Sequence, residues 1–129
     1  MLIEILENVG NVGDPELHIL RLYKFDMQEA KYFYDDISHV KETHADLHLG
    51  SRPYCSRVNC DLIFRWGAKN KGVERVEFSN TFICELNNEG YQLMLDRVYH
   101  FTTAEINGYN WLHEELVPTE LLFSPGGSW

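Results

Sequence analysis

Apolar and polar residues alternate along several short stretches of the chain, with the period of two that is typical of strands with one buried face. The stretches LIEILE, near the N-terminus, and LHILRLYKF, from residue 17, both follow this pattern. Between them lies NVGNVGDPE, which is rich in the Gly, Asn and Pro residues of turns. The two stretches therefore predict a β-hairpin.

The following segment changes to the spacing of an amphipathic helix. Asp26 precedes it and can cap its first turn, and Glu29 stands where a capping box places its acid. Apolar residues then recur at helical spacing on one face, and they are Ala30, Phe33, Tyr34, Ile37 and Val40. ADLHLG and CDLIFRWG follow and predict two more strands, so the first half has the order ββαββ.

The second half repeats this order of elements. VERVEFS and TFICEL predict a strand pair, and NNEGYQLMLDRVYHF predicts a helix with an asparagine cap. Its apolar positions each follow a counterpart in the first helix by sixty-one residues, and they are Tyr91, Met94, Leu95, Val98 and Phe101. The last predicted strands, DLIFRWG and ELLFSPG, also resemble each other.

We therefore predict a single compact α+β domain over residues 1–129, with two helices packed on antiparallel sheet. The halves form a tandem ββαββ duplication, with repeats at approximately 1–67 and 72–126. The alternative is one irregular α+β domain with unrelated halves. The sequence does not decide between one continuous sheet and two facing sheets.

Charge and cysteine content narrow the classes of function. The net charge is −9, and only residues 52–75 are basic, with six Lys and Arg against two acids. Arg57 and Arg65 are expected to pair with surplus carboxylates, and Lys69 and Lys71 are expected to lie in an exposed turn. An anionic surface repels phosphate backbones, so nucleic acid is an unfavourable ligand. Three cysteines without CxxC spacing predict buried free thiols. No membrane-crossing or leader segment is recognised, so a cytoplasmic location is expected.

One stretch, ETHADLHLG, raises the question of a metal site. On a strand, His44, Asp46 and His48 would point to one face and form a three-ligand set for zinc or a similar ion, with Cys60 as a further candidate. The simpler interpretation is the polar face of a half-exposed strand. We expect no cofactor, and the sequence contains no recognised catalytic motif, so enzyme activity has no positive support.

The remaining interpretation is that of a protein-binding module. An acidic surface raises the association rate with a basic protein partner, and an inhibitor or immunity protein against a cationic toxin is one form of such a module. The candidate contact residues lie in the second half, where a single arginine faces eight acids. They are Glu85, Glu89, Asp96, Glu105, Glu114, Glu115 and Glu120. The alternatives are a metal-binding protein or metal-dependent enzyme, and a protein that self-associates as a homodimer through an open sheet edge.

Overall fold

In the computed structural model, which describes residues 1–7, 18–105, 107–113 and 119–129, two mixed sheets share one layer of helices. Within these residues the chain forms two α-helices, α1 (Met27–Thr43) and α2 (Asn88–Thr103), and one 3-10 turn (Leu49–Ser51). The strands are β1 (Leu2–Leu6), β2 (His18–Tyr23), β3 (Leu47–His48), β4 (Ser56–Arg57), β5 (Asp61–Trp66), β6 (Gly72–Arg75), β7 (Thr81–Leu86), β8 (Asn110–His113) and β9 (Thr119–Ser124). The α+β class is confirmed.

The two helices begin where the sequence predicts. At α1, the Glu29 amide donates to Oδ1 of Asp26 (2.8 Å) and the Asp26 amide donates to Oε1 of Glu29 (3.2 Å), which completes the capping box. At α2, the side chain of Asn87 accepts a hydrogen bond from the Gly90 amide (2.9 Å). The predicted apolar positions of both helices are buried, except that Tyr34 is half-buried.

The expectation of antiparallel sheet was only partly correct, because both sheets are mixed. The strand orders are β4-β1-β2-β9-β8 and β3-β5-β7-β6. Strands close in sequence pair antiparallel, whereas β2–β9 and β5–β7 pair parallel at the centre of each sheet. At the edge of the larger sheet, β4 also pairs parallel with β1. The structure thus has two sheets rather than one continuous sheet.

Each sheet takes strands from both halves of the chain. The larger sheet combines β1 and β2 with β9 and β8, and the smaller combines β6 and β7 with β5 and β3. The series β1-β2-β9-β8 and β6-β7-β5-β3 have the same pattern of strand directions. A duplicated origin of the two halves stays a prediction.

The core lies between the helix layer and the inner faces of the two sheets. The ring of Phe33, from α1, stacks on Phe123 of the larger sheet (5.3 Å between centroids) and meets the edge of Phe64 in the smaller sheet (5.7 Å). Tyr91, from α2, is fully buried, and its hydroxyl lies 2.6 Å from the carbonyl oxygen of Arg65 in β5. The helices therefore join the two sheets through one apolar core.

The helices run antiparallel to each other in this layer. The ring of Tyr34 contacts that of Tyr99 (6.2 Å between centroids), and seven residues further along α1 the Lys41 ammonium donates to Oε1 of Gln92 (2.8 Å). Of the described helices, neither combines the length and the apolar composition that crossing a membrane requires.

Several strand expectations change in detail. The connection predicted over residues 8–16 lies outside the described ranges, which omit residues 8–17. The strands on either side of it, β1 and β2, pair antiparallel, as the strands of a hairpin do. The predicted strand VERVEFS ends at Arg75, because a turn follows in which Phe78 has a φ of 59° and is 98% exposed.

Short strands form the edges of both sheets. They are β4 and β8 in one sheet and β3 and β6 in the other, with two to four residues each, whereas the longer strands are interior. Short edge strands offer few unpaired backbone groups to another chain. Homodimerisation through a long open edge therefore gains no support from this topology, and self-association stays a prediction.

Candidate functional site

The three metal-ligand candidates do not lie on one strand face. The helix α1 continues to Thr43, and His44 ends it in the left-handed conformation (φ 62°), so the strand expected over residues 45–50 is reduced to Leu47–His48 of β3. Period-two alternation therefore does not bring His44, Asp46 and His48 to a common side. The expectation that one strand carries all three side chains was wrong, because the polar residues after the last apolar turn of α1 extend the helix to Thr43.

Two of these side chains have other partners. The imidazole of His44 stacks on the indole of Trp66, with 3.7 Å between centroids and 5° between planes. Asp46 forms an ion pair with the guanidinium of Arg65 (3.1 Å). Across the ranges that the structure describes, no three His, Cys, Asp or Glu side chains are grouped so that they could hold a metal ion.

The three cysteines are buried free thiols, as the sequence predicts. Burial raises the pKa of Cys55 and Cys60 to about 12 and raises that of Cys84 further, because a thiolate is poorly solvated inside the protein. Burial is the largest cause of this rise in pKa, and nearby carboxylates contribute to it for Cys55 and Cys60, with Asp61 acting on both. These thiols are protonated at neutral pH and are weak nucleophiles and weak metal ligands.

The predicted acidic contact residues are spread over different faces. Glu89 and Asp96 lie on the exposed side of α2, and Glu105 is exposed just after the helix. Glu85, in β7, and Glu120, in β9, alternate with core residues and therefore lie on the opposite side of their sheets from the helices. Glu114 and Glu115 lie outside the described residues.

Ion pairs determine where surplus negative charge remains. Arg57 and Arg65 pair with carboxylates, as expected, and Lys71, Arg75 and, in the larger sheet, Arg21 do the same. The pairs on the sheets and their loops are Arg21–Glu4, Arg57–Asp61, Arg65–Asp46, Lys71–Glu85 and Arg75–Glu7. By contrast, the described side chains provide no ion pair to Asp35, Glu42, Glu89 or Asp96, which are all exposed on the two helices.

We call the outer surface of the two helices the helix face. Besides the four carboxylates it exposes large side chains, since Tyr32 is 48%, Leu93 49% and Tyr99 53% exposed. Tyrosine is enriched in protein interfaces because it combines a large contact area with a hydrogen-bonding hydroxyl. The exposed residues of the helix face are Gln28, Lys31, Tyr32, Asp35, His39, Glu42, Glu89, Gln92, Leu93, Asp96, Tyr99 and His100.

A groove of about 630 Å³ lies at the edge of the helix face, between α1 and the loop that follows the 3-10 turn. Tyr32, Asp35 and Asp36 line it from the helix. The loop contributes Arg52, Pro53 and Tyr54, and the rings of Tyr32 and Tyr54 approach to 5.7 Å between centroids. Volumes of 300–1,000 Å³ are typical of ligand sites.

Hydrogen bonds hold the wall of this groove in place. Oδ2 of Asp36 accepts from the Arg52 guanidinium (2.9 Å) and from the Tyr54 hydroxyl (2.7 Å). Burial raises the pKa of Tyr54, and the hydrogen bond to the Asp36 carboxylate and its charge raise it further. Tyr54 therefore stays protonated and continues to donate.

The sequence did not single out this groove. Its two walls are separated in the chain, and Arg52 and Tyr54 were interpreted only as part of a basic stretch. One signal was present, because Tyr32 and Asp36 are four residues apart, on the same side of a helix, next to a second exposed acid, Asp35.

No protein-family model, curated protein or solved structure matches the chain. The functional argument therefore rests on the side chains of the site.

Proposed function

We propose that this chain is a cytoplasmic binding module that docks a basic protein partner on its helix face. The supporting observation is the distribution of charge: carboxylates on the sheets are largely paired, whereas Asp35, Glu42, Glu89 and Asp96 on the helix face are not, within the described structure. The free buried thiols agree with a reducing compartment. An inhibitor or immunity-type protein for a basic partner is one form of such a module.

Two physical effects favour a cationic partner here. The net charge of −9 attracts a basic protein over several ångströms and raises the association rate. The exposed rings of Tyr32 and Tyr99 then offer apolar area and cation–π contact to lysine and arginine side chains. Carboxylates without an internal ion pair lose little when they bind an external cation, and Asp96 accepts only a hydrogen bond from the neutral side-chain amide of Gln92 (2.9 Å).

The test compares two double variants that remove the same charge at different places. Glu89→Gln/Asp96→Asn changes the helix face, and the control Glu74→Gln/Glu77→Gln changes exposed acids at β6 and its turn, on the sheet side. The probe is a fluorescent hexa-arginine peptide, and the readout is the Kd from fluorescence anisotropy.

The helix-face variant is expected to bind the peptide about fivefold more weakly. Each exposed carboxylate contributes roughly 0.5 kcal/mol to a screened ion pair, and two contribute about 1 kcal/mol. The control is expected to stay within about twofold of the parent chain, since its charges lie away from the binding surface. Equal weakening in the two variants would contradict the proposal, because it would indicate attraction by net charge alone.

A further inference from the structure

The groove between α1 and the 52–54 loop differs from the rest of the helix face in having walls. Elsewhere the exposed carboxylates stand on an open helical surface, whereas here two tyrosine rings and Pro53 border a cavity of about 630 Å³. A walled cavity removes more of a ligand's surface from water than an open surface does. Side-chain recognition is therefore favoured at this place.

The two carboxylates of the groove have different roles. The Asp36 carboxylate already has internal partners, since its Oδ2 accepts hydrogen bonds from both Arg52 and Tyr54. Asp35 is exposed at the rim and has no hydrogen-bond or ion-pair partner among the described side chains. The first carboxylate thus holds the loop against the helix, and the second is available to a ligand.

The charged residues that line the groove favour a cationic ligand over an anionic one. Two aspartates face one arginine, and the Arg52 guanidinium already donates to Asp36. An anion would meet a lining in which acids outnumber cations, in a protein whose net charge is −9. A cation would meet the Asp35 carboxylate and the face of the exposed Tyr32 ring.

We propose that this groove takes the side chain of an arginine from the basic partner, an inference that rests on the proposed function. A planar guanidinium can stack on the Tyr32 ring and donate two parallel hydrogen bonds to Asp35, which the compact ammonium of lysine cannot do. Because the Asp36 network already fixes the Tyr54 wall, little ordering is needed when the side chain enters.

The experiment is a titration of the ¹⁵N-labelled chain with acetyl-arginine-amide, followed by ¹H–¹⁵N correlation spectra. Saturable shifts are expected at the amides of residues 32–36 and at those of Arg52 and Tyr54. Acetyl-citrulline-amide has the same shape without the charge, and it is expected to bind at least about fivefold more weakly.

Matched variants locate the binding. Asp35→Asn is expected to weaken binding about fivefold, and Tyr32→Leu, which keeps apolar bulk but loses the aromatic face, about threefold. The control Glu74→Gln removes the same charge from an exposed position of β6, on the sheet side, and is expected to leave the affinity for acetyl-arginine-amide within about twofold.

The outcomes separate this inference from the proposed function. Shifts spread along both helices, equal binding of the citrulline compound, or equal effects of Asp35→Asn and Glu74→Gln would overturn the arginine site. If hexa-arginine still depends on the helix face in that case, the proposed function stands without the site. If acetyl-arginine-amide saturates the groove as expected, the site is supported, whatever the longer peptide does.

Discussion

Replacing Phe123 by leucine is expected to destabilise the protein more than the same replacement at Phe64. Both rings are fully buried on the inner faces of central strands, one in each sheet. Phe123 packs against Phe25 (4.1 Å between centroids), Phe33 (5.3 Å) and Phe101 (5.1 Å). Among the described rings, Phe64 packs against Phe33 alone (5.7 Å).

The difference follows from the aromatic pairs that each change removes. Leucine keeps much of the apolar volume, and the cost of lost burial is similar at two fully buried strand positions. Each aromatic pair contributes about 0.5–1.5 kcal/mol beyond its buried area, so the two additional pairs at Phe123 predict a difference of about 1–3 kcal/mol in the free energy of unfolding.

Urea denaturation followed by circular dichroism measures this difference, provided that the m-values of the two variants agree. We expect Phe123→Leu to unfold at a clearly lower urea concentration than Phe64→Leu. Equal midpoints, or a larger loss at Phe64, would refute the idea that the Phe123 cluster holds the helices to the larger sheet.

Three further predictions concern the backbone and the thiols. Gly72→Ala is expected to lower the free energy of unfolding by about 1–2 kcal/mol, because Gly72 has a φ of 77° and an added Cβ would lie 2.3 Å from the His113 ring. The control Gly126→Ala, with open space around it, is expected to change this free energy by less than about 0.5 kcal/mol. Equal losses of stability in urea denaturation would contradict this prediction. Phe78→Asn is expected to raise stability by about 0.5–1 kcal/mol in the same assay, because asparagine tolerates a left-handed backbone better and this ring is almost fully exposed, whereas a loss would contradict it. Burial raises the pKa of the Cys55 and Cys60 thiols to about 12, so their contribution to stability is fully present below the ordinary thiol pKa of about 8.5 and declines as the pH rises toward 12. The urea midpoint of unfolding is therefore expected to fall between pH 7.5 and pH 10. An unchanged midpoint would contradict this prediction.

Local patterns predicted most elements of the fold. The capping box of Asp26 and Glu29 and the apolar spacing from Ala30 to Val40 describe α1 well, because a helix is stabilised mainly by neighbours in sequence. Its C-terminal end was missed, since the polar residues up to Thr43 contain no glycine or proline to stop the helix.

Long-range pairing was not predictable in the same way. The parallel pairing of β2 with β9 joins residues about a hundred positions apart, and no local pattern contains the direction or register of such a pair. β4 has only Ser56 and Arg57, both exposed, and it exists because its backbone pairs with β1. The alternation in these sequences predicts strands, but not their partners.

The candidate site depends on the same long-range geometry. Charge counts predicted an acidic surface, yet the ion pairs that neutralise the sheets and leave Asp35 and Asp96 uncompensated form only when the chain folds. The groove likewise needs the 52–54 loop to return to the side of α1, where Tyr54 donates to Asp36. Composition therefore predicts an acidic surface, and the fold determines where its uncompensated carboxylates lie.

Intermolecular nuclear Overhauser effects would locate a bound arginine side chain directly. With the chain isotopically labelled and acetyl-arginine-amide unlabelled at saturating concentration, we expect contacts from the arginine δ-methylene protons to the ring protons of Tyr32 and Tyr54, which border the groove. Contacts to Tyr99 or Tyr109 instead, or none to Tyr32 and Tyr54 at saturation, would contradict this expectation.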